Sequence, residues 1–395
     1  MFLVELAVVL VAAKLAGDLA TRWGQPPVLG QLVAGLALGL AAYLAGSMIN
    51  LEPAAAPMSQ LANLGVILLM FLAGLETDWG QMRRTGKAAV SAAVLGVVAS
   101  LAFGGVLALI LGHTVQESLF IGVILTATSV GITAQTLMEL GSLQTIEGAT
   151  ILGAAVTDDV VGLLVFSLAV AGAGASNTNL LLLCLALAAF FGACLALGGR
   201  VLPWLMRRGE LLRSSEAPLA LGLAMALVLS VAAENVGIAG ITGAYLAGLL
   251  LNSRDEFAEL TEKTKTLAYG LFGPVFLVKT GMDAHLEDLG GTVGLVLAMS
   301  AAAILAKVIG CGLGARLSGL KTMQSLVVGA GMVGRGEVTL IIASLALTTG
   351  LVAQNVFSAA VLVVVVTTLA TPVLLRLALS GLHKAELGVL LPDAA

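Results

Sequence analysis

The chain has 395 residues, 59% of them hydrophobic and only 11% charged, against about 25% charged residues in an ordinary soluble domain. A bilayer-spanning helix uses about 20 mainly apolar residues, so this composition excludes a soluble protein and leaves short loops with no room for an appended catalytic domain. The formal charge of −4 says little about partners, while 48 glycines and 4% aromatic residues oppose a membrane β-barrel, whose strands alternate in polarity and carry aromatic girdles.

In chain order, apolar segments lie near 2–20, 27–46, 58–75, 87–112, 116–140, 147–171, 178–205, 216–236, 238–251, 266–282, 292–316, 322–347 and 355–379. They predict an all-α polytopic membrane protein with thirteen transmembrane helices. The first segment lacks a basic leader and contains Lys14 and Asp18, so it reads as a span and not as a signal peptide. Lys14 and Asp18 sit at ion-pair spacing on a helix. An external N-terminus places most of the 19 Lys and Arg in cytoplasmic loops, among them Arg83, Arg84, Lys87, Arg207, Arg208, Lys263 and Lys265, with the C-terminus inside. Cys184, Cys194 and Cys311 fall in apolar stretches and read as buried small hydrophobes. The polar segment 252–266 predicts a short cytoplasmic surface helix.

The second segment contains Gly30-Gln-Leu-Val-Ala-Gly-Leu36, and the ninth contains Gly243-Ala-Tyr-Leu-Ala-Gly-Leu249. Phe71-Leu72 with Gly74 in the third loosely echoes Phe276-Leu277 with Gly281 in the tenth. Equivalent segments are an odd number of spans apart, so they cross the membrane in opposite directions, an inverted repeat of the kind from which many transporters are built. The predicted organisation is residues 1–177 as the first repeat, 178–215 as the seventh span and linker, 216–380 as the second repeat and 381–395 as a cytoplasmic tail. The spacings Gly35/Gly39 and Gly310/Gly314 predict close helix packing.

Ionisable groups inside a bilayer cost about 2.5–3.5 kcal/mol each on insertion scales, so each needs a partner or a function. The sixth span places Asp158 and Asp159 side by side at its middle. Neighbours on a helix point about 100° apart, so one acid can face a basic partner and the other a water-filled cavity. Burial and mutual repulsion disfavour the charged forms, and a carboxylate so placed can exchange a proton for a hard cation that prefers oxygen ligands. Lys307, central in the eleventh span, is the matching base.

Two further spans look interrupted. The fifth carries Thr126, Thr128 and Ser129, and the twelfth runs Gly329-Ala-Gly331-Met-Val-Gly334-Arg335-Gly336-Glu337. Paired interruptions at corresponding places in two halves mark a midplane site, where freed backbone groups meet the ion. Arg335 and Glu337 can neutralise the exposed C- and N-terminal helix ends, respectively, and support the break. The GxGxxG in the twelfth span has no acid about 20 residues on and lies in a membrane-length apolar run, so it does not read as a nucleotide site. His113, His285 and His383 are dispersed, which predicts no resident metal site.

With the acid pair, Lys307 and the two broken spans in view, the chain resembles bacterial sodium/proton antiporters of the second cation/proton antiporter branch, NapA type, over residues 1–380. The resemblance implies thirteen spans, a six-helix core domain moving against a dimerisation domain, each built from both repeats, and a homodimer in the bacterial inner membrane. By position, Asp159 resembles the principal Na+ (or Li+) and proton ligand, and Asp158 resembles the acid that pairs with Lys307 when no sodium is bound. Electrogenic exchange of two protons for one sodium is implied as well, with membrane lipid as the surroundings and no cofactor, nucleotide or nucleic acid. The alternatives are a K+/H+ antiporter and a Na+-coupled solute symporter of similar architecture. Related potassium systems often carry Gln in place of the first acid, which this chain does not. Lys279 departs from the expected pattern: it either snorkels to the outer interface or sits in the external ion route.

Overall fold

The structure, a computed structural model, describes residues 2–45, 55–172, 180–198, 201–210, 214–251, 258–283 and 293–390. Among the described residues every regular element is a helix. The first half holds α1 (Phe2–Arg22), α2 (Pro27–Ala45), α3 (Ala55–Glu76), α4 (Trp79–Ile110), α5 (Val115–Ile124), α6 (Val130–Glu139) and α7 (Ile146–Gly172). Then follow α8 (Leu180–Gly198), α9 (Val201–Glu210), α10 (Ala217–Asn235), α11 (Gly240–Leu251), α12 (Ala258–Leu267), a π-helical turn over Ala268–Phe272 and α13 (Gly273–Met282). The chain closes with α14 (Val293–Leu317), α15 (Thr322–Gly331), α16 (Glu337–Thr348) and α17 (Gln354–Leu390). Each predicted apolar segment holds a helix or a pair of helices. Among the described residues, six helices, α3, α4, α7, α10, α14 and α17, are long and apolar enough to cross a bilayer by themselves.

The departures have local causes. Residues 252–257 of the predicted surface helix lie outside the described residues. From Ala258 the segment is helical, buries Leu260 and Thr264, and runs through the π turn into α13 without a loop. Pro274 cannot donate to the carbonyl four residues back, and the ladder widens to π spacing just ahead of it. The seventh segment divides into α8 and an amphipathic α9, where the Arg208 guanidinium lies over the Trp204 ring at 5.6 Å. Residues 381–390, set apart above as a tail, continue α17 as helix. Cys194 and Cys311 are buried, but Cys184 is exposed on α8; in a membrane helix an apolar side chain can face lipid instead of the protein core. His285 is outside the described residues.

The chain forms two compact units, each assembled from separated stretches of sequence: Met1–Ala20, Gly30–Gln81 and Thr178–Asp283 in one, Thr21–Leu29, Met82–Asn177 and Ala284–Ala395 in the other. Within the first unit, glycines set the helix spacings. A Cβ on Gly30 of α2 would stand 2.1 Å from the Ala16 carbonyl oxygen of α1, and one on Gly243 of α11 would stand 2.0 Å from that of Leu229 in α10. Likewise Gly35 meets the Val278 carbonyl of α13 at 2.0 Å, and Gly248 meets the Phe71 carbonyl of α3 at 2.1 Å. Gly281 and Gly74 complete the pattern, each 2.2 Å from a carbonyl, of Leu32 and Tyr245 respectively. Only glycine permits backbones this close. The contacts align Phe71 with Val278 and Gly74 with Gly281, two residues away from the Phe71/Phe276 register read from sequence, because helix contacts select the glycine and not the aromatic ring.

Candidate functional site

The site lies within the second unit, where both interrupted spans are broken in space. Helix α5 ends at Ile124 and α6 starts at Val130; α15 ends at Gly331 and α16 starts at Glu337. The breaks are tied to each other: the Ser129 amide donates to the Gly334 carbonyl at 2.8 Å, and the Thr133 hydroxyl donates to that of Gly331 at 2.7 Å. Gly336 makes this approach possible, since a Cβ there would stand 2.7 Å from the Ser129 Cβ. The remaining glycines of the GxGxxG run serve packing: Gly329 lies against the Val308 carbonyl and Gly331 against the Ile151 side chain.

Beside the breaks, the Lys307 ammonium on α14 donates to Asp158 Oδ1 on α7 at 2.7 Å, with the lysine side chain 0% and the aspartate 2% exposed. A buried ion pair balances a large desolvation cost with its own attraction, so loss of either partner strands a charge. Small residues admit the lysine. A Cβ on Gly96 of α4 would come within 2.3 Å of Cys311 Sγ and 3.6 Å of Lys307 Nζ, and Gly310 and Gly314 bring α14 against the Leu95 and Ser91 carbonyls of α4. Asp159, the next residue round the helix, is half-buried. The two acids therefore occupy different surroundings, one inside the pair and one at the edge of the protein interior.

Arg335 is fully buried and ties the two breaks together. Its Nη1 donates to the Thr126 and Ala127 carbonyls at 3.2 and 2.6 Å, and its Nη2 to Ala303 of α14 at 3.3 Å. The first two carbonyls follow the C-terminal end of α5, the negative end of that half-helix; a guanidinium with fixed, planar donors can hold several at once. Thr126, Thr128 and Ser129 are all buried. The Thr126 hydroxyl donates back to the Val123 carbonyl at 2.7 Å, while its own carbonyl accepts from Arg335 and, at 3.5 Å, from the Thr128 hydroxyl. Glu337 is the first residue of α16, at the positive end of that half-helix.

Three participants carry no warning in the sequence. Thr368 of α17 donates to the Arg335 carbonyl at 2.9 Å, Thr339 donates to that of Ala127 at 3.4 Å, and Ala303 offers only its backbone. Pro372, inside α17, is the one signal that could have drawn attention to this turn. Outside the site, Lys279 is buried and its ammonium pairs with the Asp283 carboxylate one turn on. Lys14 is exposed and donates to the Tyr269 carbonyl at 2.9 Å.

Two broken helices tied to each other at their breaks beside a buried acid–base pair, in a chain of membrane-length apolar helices, define a polytopic membrane transporter. The comparisons with known proteins narrow this class. The chain belongs to the family described as "Sodium/hydrogen exchanger, transmembrane", whose sequence model matches residues 7–380. It is 39% identical over 384 residues to the Na(+)/H(+)-K(+) antiporter GerN of Bacillus cereus, covering 97% of this chain and 98% of that protein. It is 34% identical over 378 residues to the Na(+)/H(+) antiporter of Enterococcus hirae, covering 95% and 97%. The fold is similar to that of the sodium proton antiporter MjNhaP1 from Methanocaldococcus jannaschii, with a TM-score of 0.69 and 18% identity over 97% of each chain.

Proposed function

We propose that this chain is a secondary Na+/H+ antiporter in which Asp159 is the principal seat for cation and proton, and the Asp158–Lys307 pair couples its loading to transport. The observation that carries the reading is the fully buried 2.7 Å pair with a second, half-buried carboxylate next to it in sequence. Sodium entering at Asp159 draws on Asp158 as a further oxygen ligand and releases Lys307; protons arriving from the other side restore the pair. Charge is carried in one direction per cycle, which makes the exchange electrogenic, each net charge coupling to about 2.3 kcal/mol per 100 mV. Arg335 and Glu337 hold the half-helix ends electrically neutral while the seat changes occupancy.

The unit that contains both breaks and the acid pair is the moving core of an elevator-like alternating-access cycle, and the other unit is the dimerisation domain of a homodimer. Both derive from the inverted repeats 1–177 and 216–380; the matching glycine contacts of α2 and α11 support that descent. The protein sits in the bacterial inner membrane with its N-terminus outside and C-terminus inside, and exports cytoplasmic Na+ or Li+ against entering protons. Potassium is a second candidate cargo, favoured by the likeness to the Na(+)/H(+)-K(+) antiporter GerN of Bacillus cereus.

Reconstituted into proteoliposomes without added solute, the protein is expected to acidify or alkalinise the lumen in answer to an imposed Na+ gradient. Asp159→Asn abolishes that movement. Near-normal exchange by this variant rejects the assigned seat, and a requirement for an organic solute rejects antiport in favour of symport. Running K+ and Li+ gradients in the same vesicles decides the cargo.

A further inference from the structure

Thr368 is 3% exposed on α17, and its hydroxyl donates to the Arg335 carbonyl at 2.9 Å. Arg335 lies before α16 begins at Glu337, so that carbonyl stands outside the helical ladder and is fixed by a side chain. One turn on, Pro372 has no amide to return to the Thr368 carbonyl, which loosens α17 at this point. Thr371, its hydroxyl bonded to the Thr367 carbonyl at 2.7 Å, lies close against residue 334: a Cβ on Gly334 would stand 3.0 Å from Thr371 Oγ1, a tight approach. A hydroxyl-bearing turn of α17 thus rests directly on residues 334 and 335. The guanidinium of the same Arg335 clasps the Thr126 and Ala127 carbonyls and reaches that of Ala303. Ala303 is one helical turn before Lys307 on α14, on the same face.

We propose that Thr368 is a positioning residue for the ion seat: by anchoring the Arg335 backbone it sets, through the guanidinium and Ala303, the place of Lys307 opposite Asp158, and so the affinity of the site for Na+. The inference rests on the antiporter reading. It follows from where the hydroxyl bond sits. A bond made only to stabilise α17 would end within that helix, as those of Thr367 and Thr371 do, whereas this one ends on the residue that bridges both breaks and α14.

The test compares wild type with Thr368→Val, which keeps shape and loses the donor, Thr368→Ala, which cannot crowd its neighbours, and Thr368→Ser, which keeps the donor. Two readouts are taken on the full chain: Na+-dependent thermal stabilisation of purified protein, which reports binding, and Na+-driven proton movement in proteoliposomes. The expected result is that Val and Ala each raise the half-saturating Na+ concentration by about fivefold or more in both readouts, with maximal rate within about twofold, while Ser stays near wild type. The inference is overturned by unchanged half-saturation in Val and Ala, by a Ser variant as impaired as Val, or by a lower melting temperature with Na+ half-saturation intact. If wild type binds Na+ yet moves no protons, the antiporter reading fails, and the binding shift still decides the role of Thr368.

Discussion

The Asp158–Lys307 pair sets the stakes at the level of single side chains. Truncating one partner of a buried pair costs about 3–5 kcal/mol, because the other charge is left desolvated, whereas neutralising both can cost far less. Lys307→Ala is therefore expected to lower the melting temperature more than the double change Asp158→Asn with Lys307→Gln; a double variant less stable than the single one contradicts a mutually compensating pair. Arg335→Lys is a second check at this scale. One ammonium cannot span three carbonyls on two elements as the planar guanidinium does, so Lys is expected to lose exchange at a site where charge alone would be satisfied. Equal exchange by Lys denies Arg335 its bridging role. The charged members of the site were legible in the sequence because an ion in an apolar run demands an explanation. Thr368 and Ala303 were not, since a threonine in a membrane helix ordinarily bonds its own preceding turn and a backbone carbonyl has no sequence signature. The Asp283 partner of Lys279 escaped because it lies just beyond the predicted end of the tenth span.

Among elements, the interrupted helices were readable from Thr126-Ala-Thr128-Ser129 and from the glycines flanking Arg335, since both strings deplete helix propensity in the middle of an apolar run. The unbroken passage from α12 into α13 was not, because a polar segment followed by an apolar one reads as a separate surface helix and span, and the continuity of the backbone between them has no sequence signature. The glycine contacts make a reciprocal prediction. Gly35→Ala and Gly248→Ala each place a methyl about 2 Å from a carbonyl oxygen, and both should destabilise by about 1–3 kcal/mol. Gly192→Ala on α8, with nothing within 4 Å, should be neutral or stabilising by up to about 1 kcal/mol. Thermal unfolding of the three variants checks this, and a large difference between Gly35 and Gly248 contradicts equivalent roles. Outside the spans, hydrogen bonds from Lys263 to Glu216 and Glu259 hold the lysine above its ordinary pKa, and the bond to Lys263 holds Glu259 below its own. The lysine contribution is complete below its ordinary 10.5 and fades as pH rises through the raised value; the Glu259 contribution is complete above its ordinary 4.5 and fades as pH falls through the lowered value. Lys263→Gln should therefore lower stability slightly and evenly between those limits, with the difference from wild type closing towards either extreme. A difference that changes steeply near pH 7 contradicts this assignment.

For the molecule as a whole, composition alone identified a helical membrane protein, while its division into units could not be read along the chain. Thr21–Leu29 joins a different unit from the residues on either side of it, and Thr178–Asp283 joins the unit that holds most of α1 to α3. Such a partition depends on which helices pack, information that a local window of sequence does not contain. The most direct test of exchange through one shared seat is the Na+ affinity of the purified full-length protein across pH, measured by calorimetry in buffers of different ionisation enthalpy so that released protons are counted. Competition requires that Na+ binding expel protons and that the dissociation constant rise by up to about tenfold per unit of acidification while the seat takes up its proton, with Asp159→Asn abolishing both effects. Na+ binding with no proton release and an affinity indifferent to pH would contradict it.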